Sequence, residues 1–316
     1  MNYTFHQLKV FMSVVEKESI TKAAIELNMT QPAVSIQLKN LQDQFDIPLT
    51  EVIGRQLYIT EFGKELYQIA DHILQEVANI NYKTEAFKGM LSGKLKLSVA
   101  STGKYVIPYY LAGFLKQHPT IDLIIDVTNK TKVIRSLDQN EVDFALISVM
   151  PEKMELHQEV LLPNKLYLTA AYHNARRAGK KANKHIFDDL PLIFREEGSG
   201  TRVTMQQYFQ KAHIVPKVRF ELTSSEAVKQ AVIAGLGYSI QSILSVKNEL
   251  KQKEIRIIPV AGLPLIENWR LVWLKQKKLS VVAAAFLHYV QQNKKSIFEQ
   301  HFSWMEQAEK GWAPKR

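Results

Sequence analysis

The stretch SITKAAIELNMTQPAVSIQLKNL, residues 19–41, decides how the N-terminal part of the chain folds. Apolar residues recur at three- and four-residue spacing on both sides of Asn28, which predicts two short helices joined by a turn. Thr30 can cap the second helix, and Pro32 lies in its first turn, where the missing N–H has no intrahelical partner to lose. With an amphipathic helix before them, the pattern predicts three short helices within residues 4–45.

The spacing within this stretch meets three requirements of a helix-turn-helix. Ala24 is small enough for the helices to cross closely, Asn28 tolerates a positive φ in the turn, and Val34 supplies a buried β-branched side chain. The pattern alone leaves two interpretations open. The module either binds DNA or is a three-helix protein-interaction head with a solvated polar face.

The polar side of the third helix has the chemistry of a DNA-reading surface. Amides and hydroxyls near a helix N-terminus suit base edges and phosphates, and Gln31 can pair with adenine through two hydrogen bonds. Arg55 follows Gly54 in a predicted wing, where it can enter the minor groove or meet a phosphate. The candidate DNA-binding residues are Thr30, Gln31, Pro32, Ser35, Ile36, Lys39 and Arg55.

The positive charge of the chain does not lie with this element. The net charge is +10, from 41 Lys and Arg against 31 Asp and Glu. Residues 1–60 hold five basic and six acidic residues and residues 61–93 hold three and five, so the excess lies in 94–316. The total charge is therefore weak evidence for DNA binding and equally suits an anionic ligand.

Beyond the first module, the pattern predicts a long helix and a two-lobed α/β body. Residues 61–91 lack proline and keep one apolar seam, which predicts a helix that pairs with a partner helix. From Lys94, strand-like runs alternate with helical stretches, which predicts a parallel sheet with helices on its faces. The predicted strands lie at 95–100, 121–127, 142–148, 166–172, 190–194, 218–222, 237–240, 255–260 and 269–274. The predicted helices lie near 104–117, 130–139, 201–212, 225–234 and 280–293.

Polar residues follow several of the predicted strands. In an open α/β sheet, ligands bind beyond the carboxyl ends of strands, and helix N-termini approached through Gly, Ser and Thr hold anions. Arg202 can add bidentate recognition of a carboxylate or phosphate. A lone Gly-Ser-Gly-Thr more often marks a turn with a helix cap, but two such caps lie in separate lobes. The candidate effector-binding residues are Ser101, Thr102, Thr128, Asn129, Ser199, Thr201 and Arg202.

Several classes of function find no support in the sequence. There is no Cys, the nine His residues lack metal-ligand spacing, and no Walker loop or G-x-G-x-x-G follows a strand. We therefore expect no enzyme, no metal and no cofactor. No apolar run approaches the length of a membrane span and no secretory signal is visible at the start, so we expect a soluble cytoplasmic protein.

The run at 19–41, with Leu8 and Phe11 before it and Thr60 and Gly63 after it, resembles the winged helix-turn-helix of LysR-type transcriptional regulators. The resemblance covers essentially the whole chain. It implies an α plus α/β fold, in which a long linker helix joins the winged helix-turn-helix to a two-lobed effector domain of the periplasmic-binding-protein type. It also implies binding to double-stranded DNA.

By this resemblance, Gln31, Pro32 and Ser35 contact DNA from the recognition helix and Arg55 contacts it from the wing. The chain departs from the family pattern between the recognition helix and the wing. The departures are Gln42 for the usual glutamate, Thr50 for the usual phenylalanine and Val52 for a frequent arginine or lysine.

Two further stretches, 100–119 and 194–202, are similar to one subgroup, the regulators of Calvin-cycle carbon-fixation operons. Members of that subgroup respond to phosphorylated or dinucleotide metabolites, although related regulators control other pathways. The similarity implies effector contacts from residues already singled out, namely Ser101, Thr102, Thr128, Ser199, Thr201 and Arg202.

Together these expectations describe a metabolite-responsive transcription regulator of the bacterial cytoplasm. Its partners would be a promoter operator, a small anionic metabolite and RNA polymerase, and it would form a homodimer or a homotetramer. The alternative is a small-molecule-binding module whose head binds protein and no DNA. Hinges are expected near Leu162-Pro163 and Leu265–Asn268. The expected domains are a winged helix-turn-helix at 1–60, a dimerisation helix at 61–92, lobe I at 93–162 plus 268–300, lobe II at 163–267 and a tail at 301–316.

Overall fold

The computed structural model describes residues 2–54, 56–87, 91–173 and 182–306. The chain divides into two compact units, Met1–Gly89 and Met90–Arg316. Within the described residues, no helix combines the length and the apolar character that crossing a membrane requires.

The described residues of the N-terminal unit form four helices and one hairpin. Its elements are α1 Phe5–Lys17, α2 Ile20–Glu26, α3 Gln31–Gln42, β1 Thr50–Ile53, β2 Gln56–Ile59 and α4 Glu61–Phe87. The three predicted helices are confirmed, and Ser19 and Thr30 cap α2 and α3 through their side chains. The sequence predicted β2 but not β1, because three of the four β1 residues are exposed and the alternation typical of a strand is missing.

The core of this unit explains the spacing in the helix-turn-helix. Val34 and Leu41 are fully buried, and Ala24 is 4% exposed at the crossing of the helices. Asn28 adopts a φ of 52°, the left-handed conformation expected of the turn. Leu66 of α4 joins the same cluster, so the start of the long helix is part of this module.

The C-terminal unit alternates strands and helices. Its helices are α5 Ile107–Gln117, α6 Lys130–Asp138, α7 Gly200–Ala212, α8 Ser225–Ile233, α9 Lys247–Lys251 and α10 Val281–His301. Its strands are β3 Gly93–Ala100, β4 Ile121–Thr128, β5 Phe144–Ile147, β6 Leu156–Ala171, β7 Leu192–Arg195, β8 Val218–Leu222, β9 Ser239–Ser242, β10 Ile255–Ile258 and β11 Leu265–Leu274. A 3₁₀ turn at Ser101–Tyr105 leads into α5.

The sheet is mixed, whereas the sequence predicted a parallel one. Strands β3, β4 and β5 are parallel, as the βαβαβ pattern requires. Strands β9, β10 and β11 all run antiparallel to β6, and β11 also runs antiparallel to β5. The local pattern could not reveal this difference, because the direction of a strand relative to its neighbours depends on how the chain connects them and not on its own alternation.

Strands β6 and β11 connect two lobes of this unit. The first half of β6 pairs with β11 beside β5, and its second half pairs with β9 and β10. The sequence predicted only 166–172 as a strand, since Pro163 interrupts the pattern. In the structure, Pro163 pairs with Asn268 of β11, while β9 begins to pair with β6 only at Leu166. A proline is tolerated there because the strand has a neighbour on one side only.

The last helix extends beyond its predicted end. Helix α10 reaches His301, and Phe302 and Met305 after it are 2% and 1% exposed within the hydrophobic core. The start of the predicted tail is therefore packed, and residues 307–316 lie outside the described residues.

Candidate functional site

One edge of α3 is open to solvent and carries the predicted DNA-binding residues. Gln31, Pro32 and Lys39 are exposed, and Ser35 is half-buried. The side chain of Ile36 is 57% exposed. The residues chosen for base and phosphate contacts thus lie on the face opposite the buried Val34–Leu41 stripe, where a groove of DNA can reach them.

The wing is a hairpin that turns at Gly54, which has a φ of 67°. Val52 and Ile53 are 69% and 63% exposed along β1. Arg55, the predicted wing contact, lies outside the described residues.

Gln42, one departure from the family pattern, closes the turn between α3 and β1. Its side-chain amide donates a hydrogen bond to the carbonyl of Ile47 at 3.1 Å and accepts one from the N–H of Leu49. A glutamate could only accept. The amide therefore satisfies two backbone groups where a carboxylate would satisfy one.

In the C-terminal unit, a cavity lies where β3, β4 and β7 end, between the two lobes. It measures about 300 Å³, counted with the space that is open to solvent. Five of the predicted effector residues line it: Ser101, Thr102, Asn129, Ser199 and Thr201. Separate strand ends thus converge on one site, as expected of an α/β ligand site.

The first turn of α7 opens onto this cavity through Gly200 and Thr201. The N-cap residue, Ser199, is 3% exposed and makes no side-chain capping hydrogen bond. The first-turn N–H groups of a helix carry partial positive charge and lack intrahelical acceptors. The cavity therefore contains backbone donors suited to an anion.

Two of the predicted effector residues, Thr128 and Arg202, do not line this cavity. The guanidinium of Arg202 donates to the backbone carbonyl of Arg195 at 3.0 Å and forms ion pairs with Glu221 and Glu197. Its hydrogen bonds brace the start of α7 against β7 and β8. The sequence predicted that Arg202 would bind an anionic ligand. In the structure its anionic partners are carboxylates of the protein itself.

Arg195 is a residue of the cavity that sequence reasoning missed. It is 4% exposed, and its guanidinium bonds both carboxylate oxygens of Glu196, at 2.7 and 2.8 Å. It also donates to the hydroxyl of Ser225, the first residue of α8. Because Glu196 neutralises it, Arg195 contributes shape and hydrogen bonding more than net charge.

Lys130, the first residue of α6, also lines the cavity and was not singled out from the sequence. No carboxylate of the described residues lies within ion-pair distance of its ammonium group. Burial lowers the pKa of Lys130, and the more distant Glu152 and Glu267 partly offset this effect. The sequence could have identified Lys130 as a site residue, because it directly follows the predicted residue Asn129 at a helix N-terminus.

Trp269 of β11 lines the same cavity and is 1% exposed. Its indole Nε1–H is buried without a hydrogen-bond acceptor among the residues that the structure describes. The far edge of the ring packs near Gly103, where an added Cβ would lie 3.2 Å from Cζ3. The sequence indicated that Trp269 is a core residue, and the buried ring agrees with that. The sequence did not reveal that the indole N–H lacks an acceptor.

Hydrogen bonds cross the cavity between the lobes. The hydroxyl of Ser225 lies 3.3 Å from those of Ser101 and Thr102, and the Thr131 N–H donates to the carbonyl of Gly198 at 3.2 Å. Gly198 has a φ of 83°, and a Cβ there would lie 2.5 Å from the Thr131 hydroxyl. The lobes are therefore in close contact at this edge of the cavity.

A second cavity of about 240 Å³ shares Thr102, Arg195 and Thr201 with the first. Its other polar lining comes from β9 and the start of α8. The hydroxyls of Ser239 and Ser242 are both satisfied, by the carbonyl of Ile193 and the side chain of Asn164. Because its polar groups already have hydrogen-bond partners within the protein, the second cavity leaves fewer groups for a ligand to satisfy than the first.

The arrangement is suited to reversible binding. The cavity is lined by hydroxyls, side-chain amides, the two cations Lys130 and Arg195 and an open helix N-terminus, which is the composition of an anion-binding site. No group of three His, Asp or Glu side chains that could hold a metal occurs in the described part of the chain.

Comparison with known proteins gives two family matches along the chain. Residues 5–64 match the bacterial regulatory helix-turn-helix proteins of the lysR family. Residues 88–295 match the LysR substrate binding domain. The two matches coincide with the helix-turn-helix unit and with the two-lobed unit.

Individual relatives are similar over nearly the whole chain. The RuBisCO operon transcriptional regulator of Allochromatium vinosum is 35% identical over 290 residues, which cover 92% of this chain and 96% of that protein. The HTH-type transcriptional activator CmpR of Synechocystis is 34% identical over 289 residues, covering 92% and 95%. The solved structure of the Synechocystis CcmR regulatory domain in complex with 2-PG has a TM-score of 0.62 and 32% identity, covering 65% of this chain and 98% of that one.

Proposed function

The chain belongs to the LysR family of transcriptional regulators, and on that premise we propose that its effector is a small anion, such as a phosphorylated metabolite, bound between the two lobes. The supporting observation is the uncapped first turn of α7, which opens onto a cavity lined by hydroxyls. The CcmR domain, 32% identical, is solved with 2-PG, a phosphorylated two-carbon acid. The proposed contacts are Ser101, Thr102, Asn129, Ser199 and Thr201.

Effector binding acts through the arrangement of the lobes. Residues of both lobes line the cavity, so an anion that contacts both stabilises the closed arrangement over an open one. Strands β6 and β11 join the lobes near Pro163 and Asn268, and we propose this region as the hinge. The energetic effect equals the difference in effector affinity between the two arrangements.

The chain is a DNA-binding transcription regulator and not an enzyme. We propose that α3 enters the major groove, with Gln31 and Ile36 facing bases and Ser35 and Lys39 facing phosphates. Thr30 and Pro32 set the start of this helix. Arg55 remains the proposed wing contact.

We propose a homodimer that associates further into a homotetramer, with 61–92 as the dimerisation helix. Paired heads would bind half-sites about 34 Å apart on one face of the duplex. Effector-dependent changes in head spacing would alter DNA bending and the recruitment of RNA polymerase. Because a DNA-binding regulator must reach DNA inside the cell, we place the protein in the bacterial cytoplasm. We also propose domain boundaries at 1–60, 61–92, 93–162 with 268–300, 163–267 and 301–316.

The regulated genes are proposed to belong to carbon metabolism. Relatives that cover most of the chain are regulators of RuBisCO operons and of the CmpR type.

The experiment that tests this function measures binding by the full-length chain to a panel of small anions. Isothermal titration and thermal shift would compare 2-PG, glycolate, inorganic phosphate, NADPH and neutral glycerol. We expect phosphorylated anions to raise the unfolding temperature in a concentration-dependent manner, because a ligand that binds the native state stabilises it. A chain that binds no anion of the panel while binding promoter DNA would contradict the proposed effector class.

A further inference from the structure

We propose that Lys130 and Trp269 select the anionic group of the effector, with Lys130 supplying the compensating charge and the indole N–H of Trp269 a buried hydrogen bond. This inference rests on the proposed function and deepens it. It names the side chains that give the cavity its preference for a doubly charged phosphoryl group.

The first step is an account of the cations around the cavity. Arg195 lines it but has both carboxylate oxygens of Glu196 as partners. Arg202 lies outside it and is paired with Glu221 and Glu197. Lys130 lines it and has no ion pair with any described residue. Of these three cations, Lys130 is therefore the one without a carboxylate at ion-pair distance among the described residues, although the charges of Glu152 and Glu267 act on it from farther away.

The second step concerns the indole of Trp269. A buried donor without an acceptor is unfavourable, typically by an amount comparable to a lost hydrogen bond, and native proteins rarely leave one unused. Trp269 is 1% exposed, lines the cavity and has no acceptor for Nε1–H. An oxygen of a bound anion would satisfy it. Since the indole nitrogen can only donate, the missing partner must be an acceptor.

The third step is the position of these groups on different parts of the fold. Lys130 begins α6, beside the parallel strands, whereas the open first turn of α7 follows β7 in the other lobe. Trp269 lies on β11, which joins the lobes. An anion held by all three would contact both lobes and the strand between them. The charged group itself, rather than the remainder of the effector, would then stabilise closure.

The chemistry of this arrangement favours a dianion. A phosphate monoester carries about two negative charges at neutral pH, with a second pKa near 6, and has three acceptor oxygens. One full cation, the partial charge of a helix N-terminus and an indole donor match that charge and number of acceptors. A carboxylate offers a single charge and two oxygens, so it would leave part of the site unsatisfied.

The test uses the full-length protein, with 2-PG and inorganic phosphate as probes. Isothermal titration would compare wild type with Lys130→Gln, Lys130→Arg and Trp269→Phe. Lys132→Gln, an exposed lysine on the same helix, and Trp273→Phe, on the same strand, are matched controls outside the cavity. Circular dichroism and unfolding temperature would establish that each variant is folded.

We expect Lys130→Gln to lower the affinity for 2-PG by roughly 10- to 100-fold and Trp269→Phe by roughly 3- to 10-fold, as losses of charged and neutral hydrogen bonds. Lys130→Arg should retain most of the affinity, and both controls should leave it unchanged. In wild type, affinity should rise between pH 5 and 7.5 as the phosphoryl group becomes a dianion. That rise should be shallower in Lys130→Gln, an effect that a purely structural role of Lys130 would not produce.

The outcomes separate the two proposals. If wild type binds 2-PG and folded Lys130→Gln binds it equally well with the same pH profile, the charge-selecting role of Lys130 is overturned and the proposed function stands. If Trp269→Phe binds as wild type does, the role of the indole is overturned in the same way. If wild type binds no anion of any kind, the proposed effector class fails and this assignment fails with it.

Discussion

The carboxylate of Glu196 accepts two hydrogen bonds from the guanidinium of Arg195, the residue before it in the chain, at 2.7 Å from Nε and 2.8 Å from Nη2. The side chains are only 5% and 14% exposed. Adjacent residues on an extended strand normally point to opposite faces. Here the pair lies at the end of β7, where the chain leaves the strand, so both side chains can meet beside the effector cavity.

The first prediction follows from this pair. Glu196→Gln should destabilise the C-terminal unit by about 3 kcal/mol, because it leaves a buried cation without a counterion. The same change should increase the affinity for inorganic phosphate, since Arg195 then lacks its internal partner. Urea unfolding and isothermal titration measure the two effects. Glu141→Gln, which removes an exposed carboxylate of the same unit, is the control, and an unchanged stability in Glu196→Gln would refute the importance of the pair.

The second prediction concerns Arg202, which the sequence placed in the effector site. Arg202→Ala should lower stability by about 1–2 kcal/mol, because bonds to the Arg195 carbonyl and to Glu221 are lost. The affinity for 2-PG should change by no more than about twofold, within the range of an indirect effect on α7. Thermal unfolding and titration of the same preparation would check both. A large loss of affinity without a loss of stability would restore Arg202 as a direct contact.

The third prediction concerns the DNA-reading edge of α3. Gln31→Ala should lower affinity for the operator by an amount equivalent to about 1–3 kcal/mol and relax the preference at one base pair. Lys39→Ala should weaken binding to all duplexes and reduce the slope of log affinity against log salt by about 1. Fluorescence anisotropy over a salt series measures these quantities.

Gln68→Ala provides a matched control for the glutamine substitution, because Gln68 is an exposed glutamine of α4 outside the recognition helix. Equal binding by wild type and Gln31→Ala, together with an unaltered base preference, would show that α3 does not contact bases through this residue.

The fourth prediction is a pH dependence in the N-terminal unit. The hydroxyl of Ser13 donates to the carboxylate of Glu26 at 2.6 Å and Lys17 pairs with it at 2.9 Å, and these bonds lower the pKa of Glu26 below 4.5. A lowered folded-state pKa gives a stabilisation that is present above pH 4.5 and is lost as the pH falls through the folded value.

The Glu26→Gln variant should therefore lose less stability than wild type between pH 6 and pH 3. Circular dichroism melts of the full-length chain at both values measure the difference. Glu65→Gln, which removes an exposed carboxylate of α4, should follow the wild-type curve. Parallel curves for wild type and Glu26→Gln would contradict the linkage.

The fifth prediction tests packing behind the effector cavity. A Cβ at Gly103 would lie 2.8 Å from Val99 Cγ1 and 2.9 Å from Leu146 Cδ2, inside a buried cluster. Gly103→Ala should therefore cost about 1–3 kcal/mol of stability through overpacking. Gly200→Ala is the control, since its nearest neighbour would be 3.7 Å away. Equal unfolding midpoints for the two variants would show that the cluster relaxes without strain.

Much of the candidate site was predictable because it lies at strand ends and helix starts. Ser101, Thr102, Asn129, Ser199 and Thr201 follow apolar runs in the sequence, and the rule for α/β ligand sites selects such positions. Trp269 escaped because it lies inside a strand, where side chains are ordinarily assigned to the core. Lys130 directly follows a selected residue but was not itself selected from the sequence.

The amino-acid sequence by itself determined the local features of this protein: the helix-turn-helix around Asn28, the caps at Ser19 and Thr30, the long helix after Thr60 and the alternation of strands and helices beyond Lys94. These follow from periodicity and from the conformational preferences of single residues, which act over a few positions. The tertiary structure alone decided which charges remain free. The pairing of Arg202 with Glu221, and the place of Lys130 in the cavity without a carboxylate of the described residues at ion-pair distance, depend on distances between side chains on separate elements. The pairing of the adjacent Arg195 and Glu196 depends on how the chain leaves β7. No periodic pattern records those distances or that turn.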